Sequence, residues 1–147
     1  MRVAAAMRDP NLGELIQRFV NRVSHAEGRT LAILSEFSVT LHQVLLLNKL
    51  DNLGDSTLSE MADLMRMSAA SISQMIDRLV EIGLVARTED QADRRRKRIA
   101  VTLKGRRLLK RLYEARSADY LAGSAPLSQS VRADLARALA AALSELE

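Results

Sequence analysis

Apolar side chains recur along this chain at two periods, and the changes between them mark out the elements. Leu12, Leu15, Ile16, Phe19, Val23, Ala26 and Leu34 form an intermittent stripe close to a heptad. That spacing predicts one long helix from about Pro10 to Leu34, running through Gly28. Such a stripe can be covered by packing within the chain or by a partner helix. Thr40 and Gln43 have capping-box spacing and open a second helix. Its Val44, Leu45, Leu47, Leu50 and Leu53 are nearly continuous and are expected in the central core, with Gly54 ending the helix. Thr57-Leu58-Ser59-Glu60 repeats the capping box, and Leu58, Met61, Ala62 and Met65 give a short amphipathic third helix. After a turn at Arg66-Met67, Ser68 is a good N-cap for a fourth helix. Ile72, Met75, Ile76, Leu79, Val80 and Leu84 line one side of it, and Gly83 is placed to end it in a left-handed turn.

The period then shortens. Leu84-Val85-Ala86-Arg87 suits a strand, Glu89 to Asp93 a turn, and Ile99-Ala100-Val101 the return strand. Thr102 can cap a fifth helix whose apolar face is Leu103, Leu108, Leu109 and Leu112, with Tyr113 and Tyr120 beside or beyond it. Gly123-Ser124-Ala125-Pro126 interrupts. Ser128 caps a last helix with a stripe of Val131, Leu135, Leu139, Ala142 and Leu146. The expected fold class is mainly α with a small β-hairpin wing. Two short helices joined by a tight turn make a helix-turn-helix, and the second has a small, polar leading edge of Ala69, Ala70, Ser71, Ser73 and Gln74. Such a helix beside a basic hairpin suits DNA, the helix in the major groove and the hairpin on a neighbouring backbone or minor groove.

Charge sharpens this picture. The net charge of +4 is modest, but eleven of the 22 Lys and Arg lie between Arg87 and Arg111, opposed there by Glu89, Asp90 and Asp93. A basic run between two β-type segments points to a local polyanion site rather than to a merely solvated face.

The remaining composition mostly excludes. At 147 residues and 48% hydrophobic, the chain can build one domain or one protomer of an obligate dimer, and with 3% aromatics its core must rest on Leu, Ile, Val, Ala and Met. It has no cysteine, which removes disulfides, thiol redox sensing and thiolate metal sites and fits a reducing compartment. Met1 to Asn11 has no apolar core of signal-peptide length, and no run approaches the ~20 apolar residues of a membrane span. A soluble, cytoplasmic protein is expected, with no membrane partner. His25 and His42 fall on different expected helices, and neither a catalytic constellation nor a phosphate-binding glycine loop occurs. No enzyme activity, cofactor or metal site is expected.

Four stretches in this order resemble the MarR family of winged-helix transcription regulators over most of residues 10–147. They are Val39-Thr40-Leu41-His42-Gln43, Ile76-Asp77-Arg78-Leu79-Val80-Glu81-Ile82-Gly83-Leu84-Val85, Asp93-Arg94-Arg95, and Val101-Thr102-Leu103-Lys104-Gly105. The resemblance implies a winged helix-turn-helix DNA-binding domain over 38–102. It also implies a helical dimerisation region from both termini, 1–37 and 103–147. A homodimer would straddle a pseudo-palindromic operator in double-stranded DNA. Ala70, Ser71, Ser73 and Gln74 map onto the region facing base edges and phosphates, and Arg78 onto a phosphate contact or helix brace. In the wing, Arg95 maps onto the minor-groove arginine and Asp93 onto the aspartate that braces it, with Arg94, Arg96, Lys97 and Arg98 as further DNA-binding cations. Many members have arginine where this chain has Gln74, a departure that allows a bidentate glutamine–adenine contact. The resemblance further implies a repressor released by a small aromatic or phenolic ligand. Its expected seat is a cleft near Phe19, Arg22, Val23, Phe37, His42 and Tyr113, where Arg22 or His42 could hold a carboxylate. The alternative is an effector-independent DNA-binding or protein-interaction module, architectural or constitutive.

Overall fold

A computed structural model of the chain describes residues 10–24, 28–89, 91–93 and 97–146. They form helices α1 (Pro10–Val23), α2 (Arg29–Glu36) and α3 (Leu41–Leu53), strand β1 (Ser56–Thr57), helices α4 (Leu58–Met65) and α5 (Ala69–Glu81), strands β2 (Val85–Glu89) and β3 (Lys97–Val101), and helices α6 (Leu103–Ser124) and α7 (Gln129–Leu146). Two compact units emerge: Arg29–Glu114, and the described part of Met1–Gly28 with Ala115–Glu147. The first, a winged unit, takes in α2 and the start of α6, which the sequence reading grouped with the terminal region.

The winged unit owns one core. Leu46, Leu47 and Leu50 of α3, Met61 of α4, Ile72, Ile76 and Leu79 of α5, Leu84, Ile99 and Leu108 are all fully buried. Both expected capping boxes form: Gln43 N donates to Thr40 Oγ1 at 3.3 Å and Thr40 N to Gln43 Oε1 at 2.9 Å, and Thr57 and Glu60 make the same exchange at the start of α4. Gly54 and Gly83 end α3 and α5 with φ of 81° and 79°. The strands pair antiparallel in the order β1-β3-β2, with Ile99 opposite Ser56 on one side and Arg87 on the other.

Three expectations change here. The long first helix is two helices: α1 stops at Val23, Gly28 adopts a φ of 65° that a helix cannot contain, and α2 starts at Arg29. Leu45 and Leu53 are about half exposed, while Leu46 is buried. A nearly continuous apolar run hides which side faces inward, and helical geometry turns each residue about 100° from the last. Leu103 is 70% exposed because the buried line of α6 runs through Leu108 and Leu112, on the other side of the helix. The two-residue strand β1 was not foreseen, since so short a segment has no period to read.

The terminal unit contains α1, the end of α6 and α7. Here α6 runs unbroken to Ser124, past the expected interruption at Gly123. A Cβ at Gly123 would lie 2.3 Å from the Val23 carbonyl oxygen, so the glycine permits backbone-to-backbone approach between α6 and the end of α1. The stripe of α7 has little to cover it. Leu135 is half-buried, Val131, Leu139, Leu143 and Leu146 are exposed, and no residue of α7 is fully buried.

Within the winged unit, Arg111 ties α6 to α2. Its guanidinium donates to both carboxylate oxygens of Glu36, at 2.7 and 2.8 Å, and lies 5.4 Å from the centre of the Phe37 ring. The Arg111 hydrogen bond, aided by its charge and opposed by desolvation, holds the Glu36 carboxyl below its ordinary pKa of 4.5. A depressed carboxylate pKa contributes stability above the unfolded value and loses it as pH falls through the folded value. The unfolding midpoint in denaturant should therefore exceed that of Glu36→Gln at neutral pH. The gap should close as pH drops below about 4.5 and vanish below the depressed value. A constant gap across that range would show that the ion pair does not stabilise the fold.

Candidate nucleic-acid interface

Helices α4 and α5 form the helix-turn-helix. Arg66 closes α4 in a left-handed conformation, its N–H reaching the Ala62 and Asp63 carbonyls, and Met67 N also donates to Ala62 O at 3.1 Å. The chain thus reverses within two residues into Ser68, whose hydroxyl accepts from Ser71 N at 3.1 Å. The Ser68 and Ser71 hydroxyls also share a 2.8 Å hydrogen bond, so Ser71 is part of the cap. Burial of Ile72, Ile76 and Leu79 turns the opposite face outward. That face bears Ala70, Gln74, Asp77, Arg78 and Glu81, all exposed, with Ser71 and Ser73 half-buried at its edges.

Its electrostatics divide the helix. The first two turns, from Ala70 to Gln74, carry no charge, and the free N–H groups and dipole of the helix start favour an anion there. The last two turns carry Asp77 and Glu81, each answered by an arginine. Arg78 bonds Glu81 at 2.6 Å, and Arg87 of β2 forms an ion pair with Asp77. The carboxylates are thereby masked, and the uncharged start is the part suited to base edges.

The basic run is less available than its length implies. Arg87 is held by Asp77, Arg98 by the carboxylate and carbonyl of Asp55, Arg106 by Asp51 and Arg111 by Glu36. Lys110 lies 3.7 Å from Glu114. Arg98, expected at DNA, is thus engaged in fastening β3 to the loop before β1. Lys97 is exposed opposite Glu89, and Asp93 is exposed in the wing. Arg94, Arg95 and Arg96 lie outside the described residues, as do His25 and Asp90. Of these ion pairs, Arg78–Glu81 and Lys110–Glu114 have a readable helical spacing; the rest join residues that the fold brings together.

The residues expected around a ligand fall into both units. Phe19 and Val23 line an apolar cavity of about 760 Å³ within the terminal unit, with Leu15, Ile16, Val20, Ser117, Tyr120, Leu121, Ser124, Leu135 and Leu139. Arg22 is exposed in the last turn of α1 and is not in that lining. Phe37, His42 and Tyr113 belong to the winged unit: Phe37 half-buried under Arg111, His42 exposed in the first turn of α3, Tyr113 75% exposed. Among the described residues, no group of three or more His, Asp or Glu side chains could hold a metal ion, and no single helix is long and apolar enough to cross a membrane.

A helix-turn-helix followed by an antiparallel hairpin, with a short strand before it completing a three-stranded sheet, defines the winged-helix class of DNA-binding transcription regulators. The sequence profile of the MarR family matches residues 39–97. An uncharacterised HTH-type transcriptional regulator of Bacillus subtilis, YsmB, is 32% identical over 104 residues, covering 71% of this chain and 69% of that protein. The chain belongs to the MarR family of transcription regulators. Its fold is similar to that of transcriptional regulator Tm0710 from Thermotoga maritima (TM-score 0.79, 20% identity, 92% of this chain and 93% of that one). MarR of E. coli in its apo form is also similar (TM-score 0.65, 21% identity, 90% and 96%). So is MepR of S. aureus in a complex with DNA (TM-score 0.63, 19% identity, 97% and 99%). The family consists of regulators rather than enzymes.

The Asp77–Arg87 pair has a measurable signature. Asp77→Ala should free the Arg87 guanidinium beside the exposed face of α5. Binding to random-sequence DNA should tighten, and its salt dependence should steepen by ~0.9 in the logarithmic slope, one further phosphate neutralised. Filter binding over a salt series reads both, and an unchanged slope would place Arg87 out of reach of the backbone.

Proposed function

We propose that the protein is a homodimeric repressor that sets two α5 helices into successive major-groove turns of a pseudo-palindromic operator. The observation that carries the dimer is the uncovered apolar surface of α1 and α7. Leu12, Leu15 and Ile16 on α1 and Leu139, Leu143 and Leu146 on α7 are each at least half exposed. An apolar surface of that extent on both terminal helices is the kind that a second subunit buries. The DNA complex of MepR, a protein of the same fold, supports the choice of ligand. Half-sites ~34 Å apart then match a two-fold pair of recognition helices. Bound across a promoter, such a dimer blocks it sterically, which supports repression.

The outward face of α5 supports the roles given to its residues, and the family resemblance supports those given to the wing. Ala70, Ser73 and Gln74 face the base edges, with Gln74 offering an amide to adenine, while Ser71 stiffens the helix start. Arg78 contributes by holding Glu81. Arg95 enters the minor groove and Asp93 braces it, with Arg94, Arg96 and Lys97 on the backbone; Arg98 serves this surface through Asp55. Release by a small aromatic or phenolic ligand is part of the reading. The apolar hollow lined by Phe19, Val23 and Tyr120 supports it; Leu15, Ile16 and Leu139 in its walls also belong to the surface assigned to the second subunit, so the ligand takes the space that subunit leaves open. The ligand must favour a lobe arrangement that misfits the operator, because only differential affinity moves the equilibrium.

Sedimentation should find the full chain as a dimer, and removal of residues 127–147 should yield monomer or insoluble protein. A full chain that sediments as a stable monomer would sink the dimer. On an operator selected from random DNA, Gln74→Ala should shift preference at one base pair by ~1–3 kcal/mol. Arg95→Ala should weaken binding most on A·T-rich flanks. Titrating the operator complex with aromatic carboxylates and phenols should release DNA; failure of every member of the panel would leave a regulator controlled by abundance.

A further inference from the structure

The exit of the recognition helix is held by Lys104 of α6 and by Thr102, which caps that helix. Three successive carbonyls, of Ile82, Gly83 and Leu84, are each taken up. Lys104 Nζ donates to Ile82 O at 2.7 Å, Thr102 Oγ1 to Gly83 O at 2.7 Å, and Thr102 N to Leu84 O at 3.0 Å. Gly105 N in turn donates to Thr102 Oγ1 at 3.1 Å. The approach is close: a Cβ on Gly105 would lie 2.4 Å from Leu84 O and 2.7 Å from a Val101 methyl carbon. A lysine cation on the last carbonyls of a helix also meets the negative end of its dipole.

Lys104 stands in the basic run and is exposed, so charge alone would assign it to a phosphate. We propose instead that Lys104 is a positioning residue for DNA recognition. With Thr102 it fixes the end of α5 to the first turn of α6, and so sets the angle at which Gln74 and its neighbours meet the bases. This role rests on the reading that α5 is the base-reading helix. A side chain whose ammonium is already bonded to Ile82 O acts through α5, whereas a phosphate contact acts on any DNA.

The two roles separate experimentally. A phosphate contact weakens all sequences alike and reduces the salt slope, whereas a positioning residue costs mainly the specific complex. The parent, Lys104→Met and Lys104→Arg are titrated against an operator selected by the parent from random DNA, and against random DNA itself, over a salt series. Lys104→Met should lose about tenfold on the operator and less than about twofold on random DNA, with the salt slope unchanged. Lys104→Arg, which keeps a charged donor for Ile82 O, should recover most of the operator affinity. Equal loss on both DNAs with a slope shallower by ~0.9 would make Lys104 a phosphate contact and overturn the proposal. Undiminished operator binding by Lys104→Met would overturn it too. A parent that binds all sequences alike would overturn the base-reading role of α5 and this role with it, whereas a discriminating parent confines any failure to Lys104.

Discussion

Burial of one face of α5 is the constraint on which the outward surface of the helix-turn-helix depends. Ile72, Ile76 and Leu79 are fully buried in a core that also holds Leu46, Leu47 and Leu50 of α3, Met61 of α4 and Leu108 of α6. Each such side chain contributes ~1.5–3 kcal/mol by leaving water. Rotating the helix to present another face would expose all three, so the outward direction of Ala70 and Gln74 is fixed by apolar burial rather than by any polar contact. The polar interactions then refine the ends: the Ser68–Ser71 cap at the start and the Arg78–Glu81 and Arg87–Asp77 pairs toward the finish.

This ordering also explains how a chain with a net charge of only +4 can address a polyanion. Carboxylates repel phosphate, and the chain keeps two on α5. Each is neutralised locally, so the leading edge need not overcome them. Other cations of the basic run are engaged elsewhere in the winged unit. Arg98 at Asp55, Arg106 at Asp51 and Arg111 at Glu36 act as ties between elements. Exposed pairs of this kind each contribute little to stability. Their value lies in registering α2, α3, β1, β3 and α6 against one another around the recognition helix.

Much of the fold was legible in the sequence where the signal was local. Thr40 with Gln43, Thr57 with Glu60, Ser68, Gly54 and Gly83 all stand where their cap or turn chemistry placed them, because a hydrogen bond across three residues needs no tertiary information. The face of α5 was legible because its apolar residues are spaced. The face of α3 was not, because an unbroken Val44-Leu45-Leu46-Leu47 run offers no contrast between inside and outside. The break at Gly28 was hidden by a stripe that continues across it. At the site, the neutral leading edge of α5 could be read residue by residue. The partners of Arg87, Arg98 and Lys104 could not, since Asp77, Asp55 and the Ile82 carbonyl reach them only once sheet and helices have packed.

The two units differ in how far they satisfy themselves. The winged unit encloses a continuous core built almost without aromatics, as its Leu-, Ile- and Val-rich composition allows. In the terminal unit the described residues give one buried apolar side chain, Val23, and α7 has none. In proteins most of a helix's stability comes from packing its amphipathic face rather than from its own backbone bonds. The exposed leucines of α1 and α7 therefore represent stabilisation that the single chain leaves unused. If a second copy supplies the cover, the free energy that holds the terminal helices is the same free energy that pairs the reading heads. Folding of that unit and competence for a two-fold site then become one equilibrium, dependent on protein concentration.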